Sequence, residues 1–214
     1  MPLYQLSVKD NDTCTVAIWQ IAESEEEMVA PMPCGKELLA EARARFKADG
    51  RRLEWLAVRR LMHEVGCHSP IKYHPSGRPY LEEDERYISI SHTRGYAAIA
   101  LHLEKSVGLD IEQRTDRVCR VREKFLSHEE KLFLPLEKKN VETMLIIWTV
   151  KEAMFKLMDK EGVDFARHLH VSPFEVAGEG SLVAHETLTN EQCAYQFSYQ
   201  IYPDFVLSLG SLMA

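Results

Sequence analysis

Two carboxylates one residue apart stand in the hexapeptide Val107-Gly108-Leu109-Asp110-Ile111-Glu112. Its apolar/polar alternation predicts a strand. On a strand Leu109 and Ile111 share one face, and Asp110 and Glu112 the other, about 7 Å apart along the chain. With about 5 Å between charges and an effective dielectric of about 20, the acids repel by something on the order of 3 kcal/mol. A hard divalent cation removes that repulsion, and Mg²⁺ takes oxygen ligands held on rigid elements. Taken alone, the hexapeptide also reads as a half-exposed strand with two solvated acids.

A second stretch changes that balance. Trp148-Thr149-Val150-Lys151-Glu152-Ala153-Met154-Phe155-Lys156 has the pattern of a long helix. Glu152 and Lys156 are four apart and share a face. In isolation they are an ordinary ion pair. Beside Asp110 and Glu112, however, the helix adds a third carboxylate, and Lys151 and Lys156 add two phosphate donors. Three carboxylates with lysines suit an Mg²⁺-pyrophosphate site.

Other polar clusters are weaker. Ser91-His92-Thr93-Arg94 packs two hydroxyls, an imidazole and a guanidinium into what reads as a hairpin turn ahead of Gly95. Pro75-Ser76-Gly77-Arg78-Pro79 is a turn-rich connector with too few glycines to make an anion nest. Arg52 and Arg59 share a helix face two turns apart. His168 and His170 alternate on a strand and could ligate a metal. No third ligand accompanies them, so they read as structural or solvent-facing. His63 and Cys67 read as core or surface residues, and Trp19, Trp55 and Trp148 as packing residues.

The elements that must position these groups follow from periodicity. Strands are expected at 13–21, 87–91, 96–103 and 107–112, and again at 169–171, 174–176, 194–201 and 205–209. Helices are expected at 36–48, 51–66 and 141–158, with Gly66 closing the second. A basic helix carrying Arg117, Arg120 and Lys124 follows Glu112, over a Val118, Val121 and Phe125 stripe. Ser127 to Glu130 looks like a capping box opening a further short helix. The acidic run 23–27 reads as a solvated loop or helix end. The fold class is α+β: antiparallel strands beside helices in each half, with a seam near 103–106 and no linker between separable domains.

The two metal stretches together resemble the 4′-phosphopantetheinyl transferase superfamily: V-G-L-D-I-E is followed about 40 residues on by W-T-V-K-E-A-M-F-K. R-R-L-E-W-L-A-V-R from Arg51, the Gly77-Arg78-Pro79 turn and S-I-S-H-T at 89–93 extend the resemblance toward the longer, pseudo-dimeric branch that activates surfactin synthetase. The resemblance implies two similar α/β halves related by a pseudo-two-fold, with coenzyme A in the cleft between them. Residues 1–104 would supply adenosine and 3′-phosphate contacts, and 105–214 the metal and pyrophosphate site. It implies that a serine of an apo carrier protein attacks the β-phosphate of coenzyme A and that 3′,5′-ADP leaves. Carried over by motif, Asp110, Glu112 and Glu152 hold Mg²⁺, with Mn²⁺ able to substitute. Lys151 and Lys156 contact the pyrophosphate, and Arg52, Arg78, Ser91 and His92 the adenosine end. Asp110, Glu152 and Lys156 form the catalytic set, with Glu152 or a metal-held water as the base. Arg78 stands where the family often has Lys, Thr93 where Ser is frequent and Ser89 where Asn is frequent. The basic helix would steer an acidic carrier protein. A non-catalytic coenzyme A or nucleotide-binding module is the alternative reading. A metal-dependent pyrophosphate hydrolase ranks below both, since the Glu-rich helix signature of such enzymes is missing.

Composition bounds the rest. The chain has 214 residues, 45% hydrophobic and 28% charged, enough for a sizeable core. The net charge of −7 argues against general nucleic-acid binding. Basic stretches at 43–60 and 114–124 point instead to a specific anionic ligand or partner. The sequence shows no run of 18 apolar residues and no signal-peptide pattern at its start. Five scattered cysteines without a C-x-x-C pair suit reduced thiols. The expectation is a cytoplasmic monomer acting on coenzyme A and a carrier protein, with neither nucleic acid nor membrane as a partner.

Overall fold

A computed structural model describes residues 3–9, 13–134 and 140–213, apart from the side chain of Lys9. The chain divides into two compact units, one of residues 1–72 and 79–104, the other of 73–78 and 105–214. Antiparallel sheets pack with helices, the α+β class that the periodicity predicts.

In the first unit β1 (Leu3–Lys9) and β2 (Cys14–Gln20) lead into α1 (Glu25–Val29), α2 (Gly35–Arg45) and α3 (Asp49–Glu64). A short ribbon follows, β3 (Ile71–Tyr73) with β4 (Pro79–Leu81), and then β5 (Tyr87–Thr93) and β6 (Tyr96–His102). The sheet order is β1-β2-β6-β5, with antiparallel pairing throughout. Its core joins Ala17, Trp19, Ile99 and Leu101 of the sheet to Met28, Leu56 and Leu61 of the helices. The acidic run is a helix end, one of its two expected readings: Ser24 and Glu27 form a capping box that starts α1. The expected turn also moves. Strand β5 runs on to Thr93, and the reversal falls at Arg94-Gly95, where Gly95 takes φ +82°.

The second unit begins with β7 (Gly108–Gln113). The basic segment then breaks into α4 (Arg117–Val121) and a single 3₁₀ turn over Arg122–Lys124. Then come α5 (His128–Phe133), α6 (Val141–Met158) and α7 (Phe165–His168). Strands β8 (Leu169–Val171), β9 (Glu179–Glu186), β10 (Ala194–Ile201) and β11 (Phe205–Leu212) complete a sheet of order β7-β11-β10-β9-β8. Residues 174–176 are irregular rather than the strand expected there, and β9 stands where no strand was expected. Ser127 caps α5 with Glu130 in the box expected of them.

Helix α6 is mainly apolar and packs against β7 and β11. Thr149 and Ser208, both fully buried, join α6 to β11 through hydroxyls 2.7 Å apart. Gly108 lets the helix approach β7: a Cβ there would stand 2.2 Å from the Ala153 carbonyl oxygen and 2.8 Å from Leu157. Among the described residues no helix is long and apolar enough to cross a membrane.

Gly108→Ala is therefore expected to lift α6 from the strand and destabilise the protein by about 1–3 kcal/mol, the usual cost of overpacking. A lowered urea midpoint at unchanged m-value measures it.

Candidate active site

The site grows from one stripe of α6 and one face of β7. Trp148, Glu152 and Lys156 are spaced by four and lie one above another on the helix. Asp110 and Glu112 are spaced by two and share a strand face. Three hydrogen bonds from two helix residues join the elements. The indole Nε1–H of Trp148 donates to Glu112 Oε1 at 3.0 Å. The Lys156 ammonium donates to Asp110 Oδ1 at 2.9 Å and to the Leu109 carbonyl at 2.8 Å. Glu152 lies between these clasps, one helical turn from each.

Burial first, then the Asp110 charge, push the Glu152 carboxyl up to about 7; Lys156 opposes the rise and Glu112 adds to it. Burial also raises Glu112, against its Trp148 hydrogen bond, with Asp110 adding repulsion and Lys156 and Arg117 opposing. Asp110 is 5% exposed. The donor set is all oxygen and on rigid elements, and its charges repel one another, so it fits a hard divalent cation. Among the described residues no three His, Cys, Asp or Glu side chains are already gathered into a ligand set. A cation bound there would have to compete with the Trp148 and Lys156 bonds.

Lys151 corrects the sequence expectation. It is 0% exposed, and its ammonium donates to Glu130 Oε2 at 2.7 Å and to the carbonyls of Phe125 and Phe165 at 2.6 and 3.0 Å. Three donors meet three acceptors, which leaves none for a pyrophosphate. Burial lowers its pKa, and Glu130 works against that fall. Glu130 is 1% exposed and also accepts from the backbone N–H groups of Ser127 and Val171. It ties α5, α6 and β8 together. The capping box revealed one of these bonds; nothing in the spacing revealed the other two.

Arg52 is a second correction. Its guanidinium bonds Glu25, Asp49 and the carbonyls of Phe46 and Lys47, four of its five N–H groups. It braces α1 against the start of α3 and does not present itself to a ligand. Ser91 and His92, read as neighbours in a turn, are consecutive strand residues and face opposite sides of β5. Ser91 is buried, and His92 lies beside Glu54 (3.4 Å) and Arg51 (3.5 Å). Arg78 belongs to the second unit, where it bonds the Ser106 hydroxyl and lies 3.9 Å from Asp159 at the end of α6. The structure thus brings Asp110, Glu112, Glu152 and Lys156 within electrostatic reach of one another and turns Lys151 into the core instead. The clasp made by Trp148 was missed as a polar contact because its aromatic character suggested packing alone. It does pack as well, against Phe125 and Phe165.

Residues 106–209 match the family model described as the 4′-phosphopantetheinyl transferase superfamily. No curated protein matches the chain.

Two predictions follow from this geometry. Lys151→Met leaves Glu130 as a buried, unpaired carboxylate and should cost about 3–5 kcal/mol; adding Glu130→Gln should recover part of the loss, as urea unfolding will show. In protein freed of metal, the Glu152 carboxyl is raised above its unfolded value of 4.5. Between 4.5 and about 7 the folded state keeps a proton that the unfolded state has lost, so stability falls as pH rises through that window and then levels. Glu152→Gln should match wild type below it and exceed wild type by up to roughly 3 kcal/mol above it.

Proposed function

The chain carries a 4′-phosphopantetheinyl transferase superfamily domain at residues 106–209, and from that premise we propose that it transfers phosphopantetheine from coenzyme A to a serine of an apo carrier protein, releasing 3′,5′-ADP. The superfamily implies phosphopantetheine transfer in general; donor, acceptor and product are this reading's own. The observation that carries it is the convergence of Asp110, Glu112, Glu152 and Lys156, with Glu152 at a pKa of about 7.

The serine Oγ attacks the β-phosphorus of coenzyme A, and the bond from that phosphorus to the bridging oxygen breaks. Glu152, or a water that the cation holds, takes the serine proton. Lys156, held between Asp110 and the Leu109 carbonyl, presents a positive charge where the pyrophosphate gathers negative charge. Asp110, Glu112 and Glu152 would hold a divalent cation, Mg²⁺ by preference and Mn²⁺ as a substitute, which when bound supplies electrophilic charge at the phosphates. Trp148 fixes the orientation of Glu112. Arg117, whose charge reaches Glu112, begins the basic segment that would meet an acidic acceptor protein. The adenosine-end contacts expected of Arg78, Ser91 and His92 belong to the same proposal.

The test is incubation with coenzyme A, Mg²⁺ and a panel of apo carrier proteins from fatty-acid, polyketide and peptide synthesis. A carrier should gain the mass of one phosphopantetheine. Asp110→Ala should abolish the gain, and Glu152→Gln should slow it by about 10²–10⁴-fold, the usual share of a general base, both with unchanged circular dichroism. Binding of coenzyme A without transfer to any carrier would instead identify a binding module.

A further inference from the structure

Away from the carboxylates, His170 and His185 stand directly opposite one another on β8 and β9. Their rings stack with centroids 5.0 Å apart and planes 17° apart. Nε2 of His170 lies 3.0 Å from the Arg167 carbonyl oxygen. A carbonyl only accepts, so Nε2 carries the proton and Nδ1 keeps a bare lone pair. That nitrogen is buried and has no hydrogen-bond partner. The stacked His185 ring does not supply one, because a ring N–H donates in its own plane and the two planes are nearly parallel.

His185 is suited to the same chemistry. Burial, followed by the charge of His170, lowers its pKa and favours the neutral ring; Glu129, Glu130 and Glu186 act the other way. Glu130 is engaged with Lys151 and two backbone N–H groups. Glu186 is engaged with Thr189 and with the N–H groups of Leu188 and Cys193. Glu129 is exposed at the start of α5.

We propose that His170 Nδ1 and a ring nitrogen of His185 form a site for a borderline transition-metal ion of the Zn²⁺ or Cu²⁺ class, completed by water or Glu129. A metal-binding imidazole commonly donates its second N–H to a backbone carbonyl, which is the role Arg167 fills. Two imidazoles on a tetrahedral ion at about 2.0–2.1 Å stand with centroids roughly 5 Å apart. The strand pairing already sets that separation; binding asks the His185 ring to tilt out of the stack. Imidazole donors separate this site from the carboxylates, whose oxygens suit Mg²⁺. Strand β8 is an edge strand of three residues, and its Val171 N–H holds Glu130. An ion joining β8 to β9 therefore stiffens the support behind Glu130 and Lys151.

The experiment is calorimetric titration of Zn²⁺ into the full chain, its accessible cysteines alkylated and Mg²⁺ kept in excess. One ion per chain is expected, weakened at least tenfold in His170→Asn and in His185→Asn and unchanged in His168→Asn. Electron paramagnetic resonance of the Cu²⁺-loaded chain should show two nitrogen ligands, falling to one in either variant. Urea midpoints in chelator, equal across the variants, establish that each is folded; a variant that fails this is replaced by the Gln substitution. Absence of Zn²⁺ binding by the wild type, or binding that both His170→Asn and His185→Asn retain, overturns the proposal.

Discussion

The carboxylate site depends on how helix α6 is rolled about its own axis. Consecutive helix residues point about 100° apart, so fixing Lys151 fixes Glu152. Lys151 is fixed by a buried ion pair with Glu130 and by two carbonyls that use up its remaining protons. Such a pair adds little net stability, because desolvating two charges offsets most of their attraction. Its value is directional: a roll of the helix would strand an ammonium in an apolar core. With the roll set, Trp148, Glu152 and Lys156 face β7, where the Glu112 and Asp110 bonds hold the two ends of the stripe.

That arrangement places unlike costs side by side. The Lys151 ammonium has a partner for each of its three protons, although burial still lowers its pKa. The Glu152 charge is under-compensated, and its pKa near 7 is the consequence. Two adjacent residues on one helix thus differ in role because one meets a carboxylate and carbonyls while the other meets carboxylates. Stability is given up at Glu152, the group that the proposed proton transfer and cation binding would use. The apolar packing of α6 and the close approach allowed by Gly108 offset the loss.

Much of this was legible in the sequence. The alternation in Val107 to Glu112 placed Asp110 and Glu112 on one strand face, and four-residue spacing placed Glu152 and Lys156 on one helix face. Helix α6 has the bounds that its apolar pattern suggested. What periodicity cannot see is the partner of a long side chain. Lys151 and Lys156 look alike in the sequence, yet one ends in the core on Glu130 and the other at Asp110. Arg52 likewise reads as a free cation but is consumed by local carbonyls and acids. Ser91 and His92 were misplaced because Gly95 was credited with a longer turn than it makes. Strand β9 was missed because its glycine, serine and histidine weaken the alternation that marks a strand.

The convergence of three carboxylates on one divalent ion is tested most directly by Mn²⁺ binding followed by electron paramagnetic resonance in the presence of coenzyme A. One tightly held Mn²⁺ per chain is predicted, with Asp110→Asn, Glu112→Gln and Glu152→Gln each weakening it at least tenfold. Wild-type affinity in all three variants would contradict the shared site.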